Sequence, residues 1–319
     1  MKDRLKWILG ILVAAFLLLT PFLFSDFINY LVATLLINML FATATWAIFH
    51  QAGQALFAIA VIGGISGYIS AMLNETISNN WVTMAIGVAA SCGVGMFFYV
   101  VAARVRGHIQ FATVNLAFIF VFRYFLVAFT NVTKGIDGIK VKYFTPESFF
   151  STIPHRYWVV LLITVGSLAL IYWIMKSRFG KIITLIGRNT DLAASVGINT
   201  RKYLIYSYLI FPPFIGLAGV LYSHFLGFIS PDTWNPDLSL IMIFCSLIGG
   251  STMFVGPIVG AIIATGIPLY FDVTAEFRFG IVGILAILIF VFKPEGVAGL
   301  LGRLFHSTAP KIERKGAAG

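Results

Sequence analysis

The sequence predicts an all-α polytopic membrane protein of about ten transmembrane helices, some of them broken or re-entrant, and three observations lead there. Apolar residues make up 59% of the chain and charged residues 11%, with mean hydropathy +0.95, which leaves no composition for a large soluble domain. Apolar windows long enough to cross about 30 Å of hydrocarbon recur from end to end. Lys and Arg, finally, are divided unequally between alternate loops. A net charge of +10 would suggest nucleic acid in a soluble chain, but these bases lie in loops beside apolar spans rather than on one patch. Lipid is therefore the expected surrounding, and no nucleic-acid partner is expected.

Taken in order, the windows lie at 7–24, 28–49, 56–73, 82–102, 109–130, 157–175, 203–226, 238–254, 255–271 and 277–292. The first follows Lys2, Arg4 and Lys6 but lacks a small-x-small cleavage site, so it reads as a retained anchor rather than a leader. The eighth is short and broken. With ten crossings and a cytoplasmic N-terminus, sixteen Lys/Arg fall inside and five outside (Lys134, Lys140, Lys142, Arg156 and Arg278). Losing the eighth crossing would move the C-terminal bases outside and weaken that asymmetry, although a re-entrant pair elsewhere could mimic the even count. The division is then a transmembrane domain over 1–302 and a basic cytoplasmic tail over 303–319, with both termini inside. Cys92 and Cys245 lie in apolar segments without a C-x-x-C or histidine companion and read as small core residues.

The loop 176–202 carries six Lys/Arg against one acid. Within it the stretch from Thr190 to Val196 has a capping residue, a negative first turn at Asp191, the small pair Ala193 and Ala194, and Gly197 as a stop, which predicts a short helix. Held at the cytoplasmic face, such a helix offers a partner's groove something to grip. An ordinary orienting loop that binds nothing remains the alternative.

Enzyme signatures are missing: there is no phosphate loop, nucleophile elbow, H-E-x-x-H or paired carboxylate within a span, and no metal site is expected. The five histidines, His50, His108, His155, His224 and His306, fall at span ends and read as interfacial. What the spans do hold is backbone irregularity. Pro212 and Pro213 remove two N–H donors and predict a kink, and Gly249, Gly250, Gly256 and Pro257 break the eighth and ninth spans. Gly63 with Gly67, and Gly256 with Gly260 and Ala264, also fit close helix packing. Thr34, Asn38 and Thr45 share one face of the second span, which leads to His50, Gln51 and Gln54, while Asn115 sits near the inner end of the fifth. Uncharged amides and hydroxyls suit a route for a small polar solute, or else interhelical hydrogen bonds. Arg123 lies inside a span with no acid in that span to pair with; it either meets a protein partner or snorkels to the headgroups.

Several runs of residues together resemble a known family. Gly197-Ile198-Asn199, Gly216-Leu217-Ala218-Gly219-Val220-Leu221-Tyr222 and Gly227-Phe228-Ile229-Ser230-Pro231-Asp232 occur in that order. Leu116-Ala117-Phe118 with Arg123, Thr133-x-Gly135-x-Asp137-Gly138, Gly249-Gly250 with Gly256-Pro257-x-x-Gly260-Ala261, and the ending Phe292-Lys293-Pro294-Glu295-Gly296-Val297-Ala298-Gly299-Leu300 join them. The set resembles the LivM-type permeases of branched-chain amino acid ABC importers over nearly the whole chain. The resemblance implies the many-helix, type II-like importer permease fold, and a chain that is a transport subunit rather than an enzyme, in a bacterial inner membrane. It implies a related second permease, two cytoplasmic ATPase subunits that bind ATP and Mg in place of this chain, and an extracytoplasmic solute-binding protein.

On that resemblance Arg188, Thr190, Asp191, Ala193, Ala194 and Gly197 couple to the ATPase. The polar face and the broken spans offer Asn38, Thr45, Gln51, Gln54, Asn115, Gly249 and Gly250 for the translocation route, and the resemblance assigns Ser230, Pro231 and Asp232 to binding-protein docking. The chain departs from the family where Gly53-Gln54-Ala55-Leu56-Phe57-Ala58-Ile59-Ala60 replaces G-Q-L-S-L-G-H-A-A-F, where Phe120 replaces an acid and where Thr252 replaces a glycine. Branched-chain amino acids, urea, short amides and other small organic solutes all fit the resemblance. A stand-alone secondary transporter or channel is the competing class, but it would want a buried carboxylate that no span supplies.

Overall fold

The computed structural model describes residues 15–105, 107–144, 153–271, 274–292, 296, 297 and 299. The basic N-terminal residues, the stretch 145–152, Lys293 to Glu295 and the tail 303–319 lie outside the described residues. The chain is helical almost throughout. It opens with α1 over 15–23, α2 (Asp26–Trp46) extended by a π-helical turn (Ala47–Gln51), α3 (Ile59–Thr76), α4 (Asn80–Arg104) and α5 (His108–Ala128). A single turn, α6 (Thr130–Thr133), leads to α7 (Ile153–Lys176), then α8 (Arg178–Arg188), α9 (Thr190–Ser195), α10 (Thr200–Ile210) and α11 (Pro212–Leu226). The C-terminal third holds α12 (Pro236–Gly249), α13 (Val255–Ala261), a second π turn (Ile262–Gly266), α14 (Ile267–Tyr270) and α15 (Ala275–Phe292).

Side-chain caps explain many of the boundaries. Asn79, Ser177, Asn189, Asn199 and Asn235 each accept a hydrogen bond from a backbone N–H in the first turn of the helix that follows. Pro212 and Pro213 open α11, where their missing N–H groups cost nothing, so the predicted kink is a break at Phe211. Gly95 makes room for it: a Cβ there would lie 2.4 Å from the Tyr208 carbonyl oxygen.

Five of the described helical stretches are long and apolar enough to cross a membrane, and Val255–Tyr270 and Gly280–Ile289 are shorter apolar helices. The α2 stretch is 83% buried, whereas those of α4, α5 and α7 are 22–33% buried, so α2 is central and the other three are peripheral, with apolar faces turned outward. Around α2 pack α7, α11, α12 and α13, while α3 is wedged between α4 and α11. Glycines set the close approaches. A Cβ on Gly219 would lie 2.2 Å from the Gly63 carbonyl oxygen, and one on Gly260 1.6 Å from that of Cys245, so α3–α11 and α12–α13 meet backbone to backbone.

The helices run between two ends. One gathers the turn after α5, the loop after α11 and the start of α4. There β1 (Ile139–Lys140) pairs antiparallel with β2 (Phe228–Ile229), a small ladder that the all-α reading lacked, and Asn80 Nδ2 donates to the Tyr143 carbonyl. Gly138 and Gly227, both at positive φ, shape the two approaches to this ladder. His224 is also here and is fully buried, not interfacial. Its Nδ1–H donates to the Lys142 carbonyl (2.8 Å), which leaves Nε2 to accept from the Ser70 hydroxyl (2.7 Å). The opposite end gathers α8, α9, the start of α10, the end of α4 and the π turn after α2.

Lys176, Arg178, Lys181, Arg188, Arg201, Lys202 and Arg104 all belong to this second, basic end. If that end is cytoplasmic, single cysteines at Ser195 and Lys140, in a background without Cys92 and Cys245, will label from opposite sides of the membrane. Labelling of both from one side would refute the orientation.

Candidate functional site

A cavity of about 450 Å³ opens at the first end between α2, the loop after β2, α12 and the second π turn. From α2 come Tyr30, Thr34, Asn38 and Phe41, spaced three or four residues apart on one helical face. The loop supplies Asp232, Thr233, Trp234 and Asn235; α12 supplies Asp237, Leu238, Ile241 and Met242; Thr265 and Leu269 close the far wall. Trp234 is fully buried and stands over a floor of glycines, where a Cβ on Gly63 would come within 2.8 Å of its ring. Phe41 and Tyr222 flank it with ring centroids 6.4 and 6.2 Å away, and its Nε1 has no hydrogen-bond partner among the described residues. The lining thus combines aromatic walls, hydroxyls, amides and two carboxylates, and among the described residues it includes no Lys, Arg or His.

Arg123 finds its partner in Asp232, 109 residues away, at 2.9 Å. Both side chains are substantially exposed, so the pair fixes the position of the cavity rim more than it adds stability. Of the three residues read as a docking patch, Pro231 is buried, Ser230 is half-buried and Asp232 is exposed at the cavity rim.

The residues read as a route do not all meet here. Asn38 lines the cavity, as does Thr34 from the same face, whereas Thr45 is buried deeper in α2 and its hydroxyl has no partner among the described residues. Asn115 is buried in α5, where its Nδ2 donates to its own helix at Phe111. Gly249 and Gly250 form the tight α12–α13 turn, in which a Cβ on Gly249 would fall 1.7 Å from the Gly256 carbonyl oxygen. Gln51 and Gln54 lie at the basic end. Gln54 faces a separate cleft with Tyr99, Thr200 and Arg201. The sequence reading missed Trp234 and Asp237; an aromatic between two aspartates, with an Asn-Pro helix start at Asn235 and Pro236, was the available signal.

At the basic end the predicted short helix is α9. Asn189 caps its N-terminus, and Gly197 (φ 82°) ends it in a Schellman motif, with Gly197 N–H bonded to the Ala194 carbonyl and Ile198 N–H to that of Ala193. Arg188, Thr190, Asp191, Ala194 and Gly197 are exposed, but Ala193 is fully buried against its own subunit. The small-residue pair therefore presents one member. Leu192 and Val196, 51% and 63% exposed, provide the apolar surface instead. Before it runs α8, an amphipathic helix that buries Gly180, Ile183 and Ile186 and exposes Arg178, Lys181 and Arg188.

Residues 27–292 match the family described as branched-chain amino acid transport system, permease component. The chain belongs to this family. It is 24% identical over 280 residues to the high-affinity branched-chain amino acid transport system permease protein LivM of Escherichia coli K12, covering 80% of this chain and 64% of that one. The LivM of Salmonella typhimurium LT2 is 23% identical over 79% of this chain and 63% of its own. The autoinducer 2 import system permease protein LsrC of Yersinia pestis Pestoides F is 25% identical over 72% of this permease and 68% of its own length. The permease thus spans a little under two thirds of the LivM relatives. No solved structure matches it.

Proposed function

We propose that this permease forms half of the translocation route of a binding-protein-dependent importer in a bacterial inner membrane, crossing it about ten times with the basic end cytoplasmic. The observation that carries this reading is the division of labour between the ends: a solute-sized polar and aromatic cavity at one, and at the other a capped helix that exposes Leu192 and Val196 among bases. A related second permease completes the route, two ATPase subunits carrying ATP and Mg receive α9, and a solute-binding protein delivers to the rim around Asp232. The cargo is a small polar solute. A branched-chain amino acid fits through its ammonium group on Asp237 and its aliphatic side chain on the aromatic walls.

Among the described residues no base lines the cavity, and the nearest, Arg123 at the rim, is already paired with Asp232, which favours a second reading in which the cargo is a neutral, polyhydroxylated molecule with no carboxylate to place. The likeness to a permease of an autoinducer 2 import system shows that the relatives are not confined to amino acid systems.

Asp237→Asn separates the two. If an ammonium group binds there, uptake of labelled leucine into vesicles holding the whole importer will fall by about tenfold or more. If the cargo is a neutral cyclic polyol, the amide will replace the carboxylate within about threefold. Asn38→Leu is expected to lower uptake or change solute preference more than it lowers the thermal stability of the purified complex. Unchanged uptake with a large fall in melting temperature would remove the α2 face from the route.

A further inference from the structure

We infer that Gln51 is a positioning residue that ties the cytoplasmic-end helices α8 and α9 to two walls of the solute cavity. This rests on the importer reading. Gln51 ends the π turn that extends α2, and it is almost fully buried. Its Nε2 donates to the Ser251 carbonyl (2.9 Å), in the turn joining α12 to α13, and its Oε1 accepts from the Thr184 hydroxyl of α8 (2.9 Å). One side chain thus touches three elements. Two of them, α2 and α12, line the cavity at the opposite end, and the third runs straight into α9 through Asn189, which is at once the C-cap of α8 and the N-cap of α9.

The surrounding backbone makes the junction tight. A Cβ on Gly187 of α8 would lie 2.3 Å from the Gln51 carbonyl oxygen, and one on Gly53 would lie 2.7 Å from Gly187 Cα, so α8 rests directly on the segment that follows the π turn. Trp46 Nε1 donates to the same Ser251 carbonyl (2.6 Å), holding the α12–α13 turn against α2. The link to α8 is different in kind. Thr184 has one hydroxyl proton and two acceptors within 2.9 Å, Gln51 Oε1 and its own helix's Gly180 carbonyl. Releasing Gln51 therefore leaves the hydroxyl satisfied, which lets α8 part from the cavity walls without stranding a buried donor. The π turn contributes too, because its wider ring of hydrogen bonds is a local weakness in an otherwise regular helix. A junction of rigid elements in close backbone contact, with one exchangeable side-chain bond across it, suits a part that changes partners during a cycle.

The test uses the complete importer in vesicles, with a single cysteine at Thr233 of the cavity in a background lacking Cys92 and Cys245. Its labelling by N-ethylmaleimide is compared without nucleotide and after trapping with ATP and vanadate. With Gln51 and Thr184 intact the labelling rate is expected to differ about tenfold between the two states, and in Gln51→Leu or Thr184→Val by less than about twofold, with ATP hydrolysis retained. Ser246→Ala, which removes the neighbouring His50 bond (2.8 Å) without touching α8, should keep the tenfold response. A full response in Thr184→Val, whose shape matches threonine, overturns the inference even if Gln51→Leu misfolds. Failure of any ATPase subunit to associate with the unaltered chain would instead overturn the importer reading itself.

Discussion

Leu192→Asp is expected to abolish ATP-driven uptake while leaving the permease folded and inserted. Leu192 is 51% exposed on α9, so a substitution there gives up only part of the burial of a core leucine and leaves the permease folded. In an ATPase groove the same position would bury an unpaired carboxylate, at a cost of about 3 kcal/mol or more, beyond a hundredfold in affinity. Ala194→Glu, two residues further along and also exposed, should act in the same direction, whereas Ala193→Glu should instead destabilise the permease, because Ala193 is packed against its own subunit. Co-purification of the ATPase with each variant, beside size-exclusion profiles of the permease, distinguishes these outcomes. Normal ATPase recovery with Leu192→Asp would remove α9 from the interface.

Gly260→Ala is expected to lower the melting temperature sharply, against the usual gain of about 1 kcal/mol when alanine replaces a helical glycine. The added methyl would sit 1.6 Å from the Cys245 carbonyl oxygen, a backbone atom that can yield only by prising α12 from α13. Overpacking of this kind costs about 3 kcal/mol. Gly166 of α7 has no atom of the described residues beyond its own helix within 4 Å of the Cβ position, so Gly166→Ala should be neutral or stabilising. Thermal unfolding of the two purified variants in one detergent compares them directly, and equal shifts would show that the α12–α13 contact is looser than described.

Most helices were legible as apolar windows because hydrocarbon thickness imposes a length that composition reveals. Within a few residues, 82–102 became Asn80–Arg104 and 109–130 became His108–Ala128. Helix α8 was not legible. Its bases at 178, 181 and 188 read as loop charge, while only the spacing of Ile183 and Ile186 and the Ser177 cap marked a helix. The π turns have no residue signature, since they arise from packing around α2 and α13 rather than from propensity. Arg123 and Asp232 were each singled out for other reasons, but a pairing across 109 residues is a property of the fold. The cavity is the same case, with its four walls drawn from segments between residues 30 and 269. By contrast α9 and its glycine stop were readable, because a cap, a short helix and a Schellman ending are all local.

The most direct test of the importer account is solute uptake into vesicles containing this permease alone, and then with its sister permease, the ATPase subunits and the binding protein, each with and without ATP. Leucine and a neutral cyclic polyol serve as the labelled probes. The account predicts no accumulation by the permease alone, and accumulation of one probe by the complete set only when ATP and the binding protein are present. Uptake of either probe by the permease alone, indifferent to ATP, would contradict it and establish a stand-alone transporter or channel.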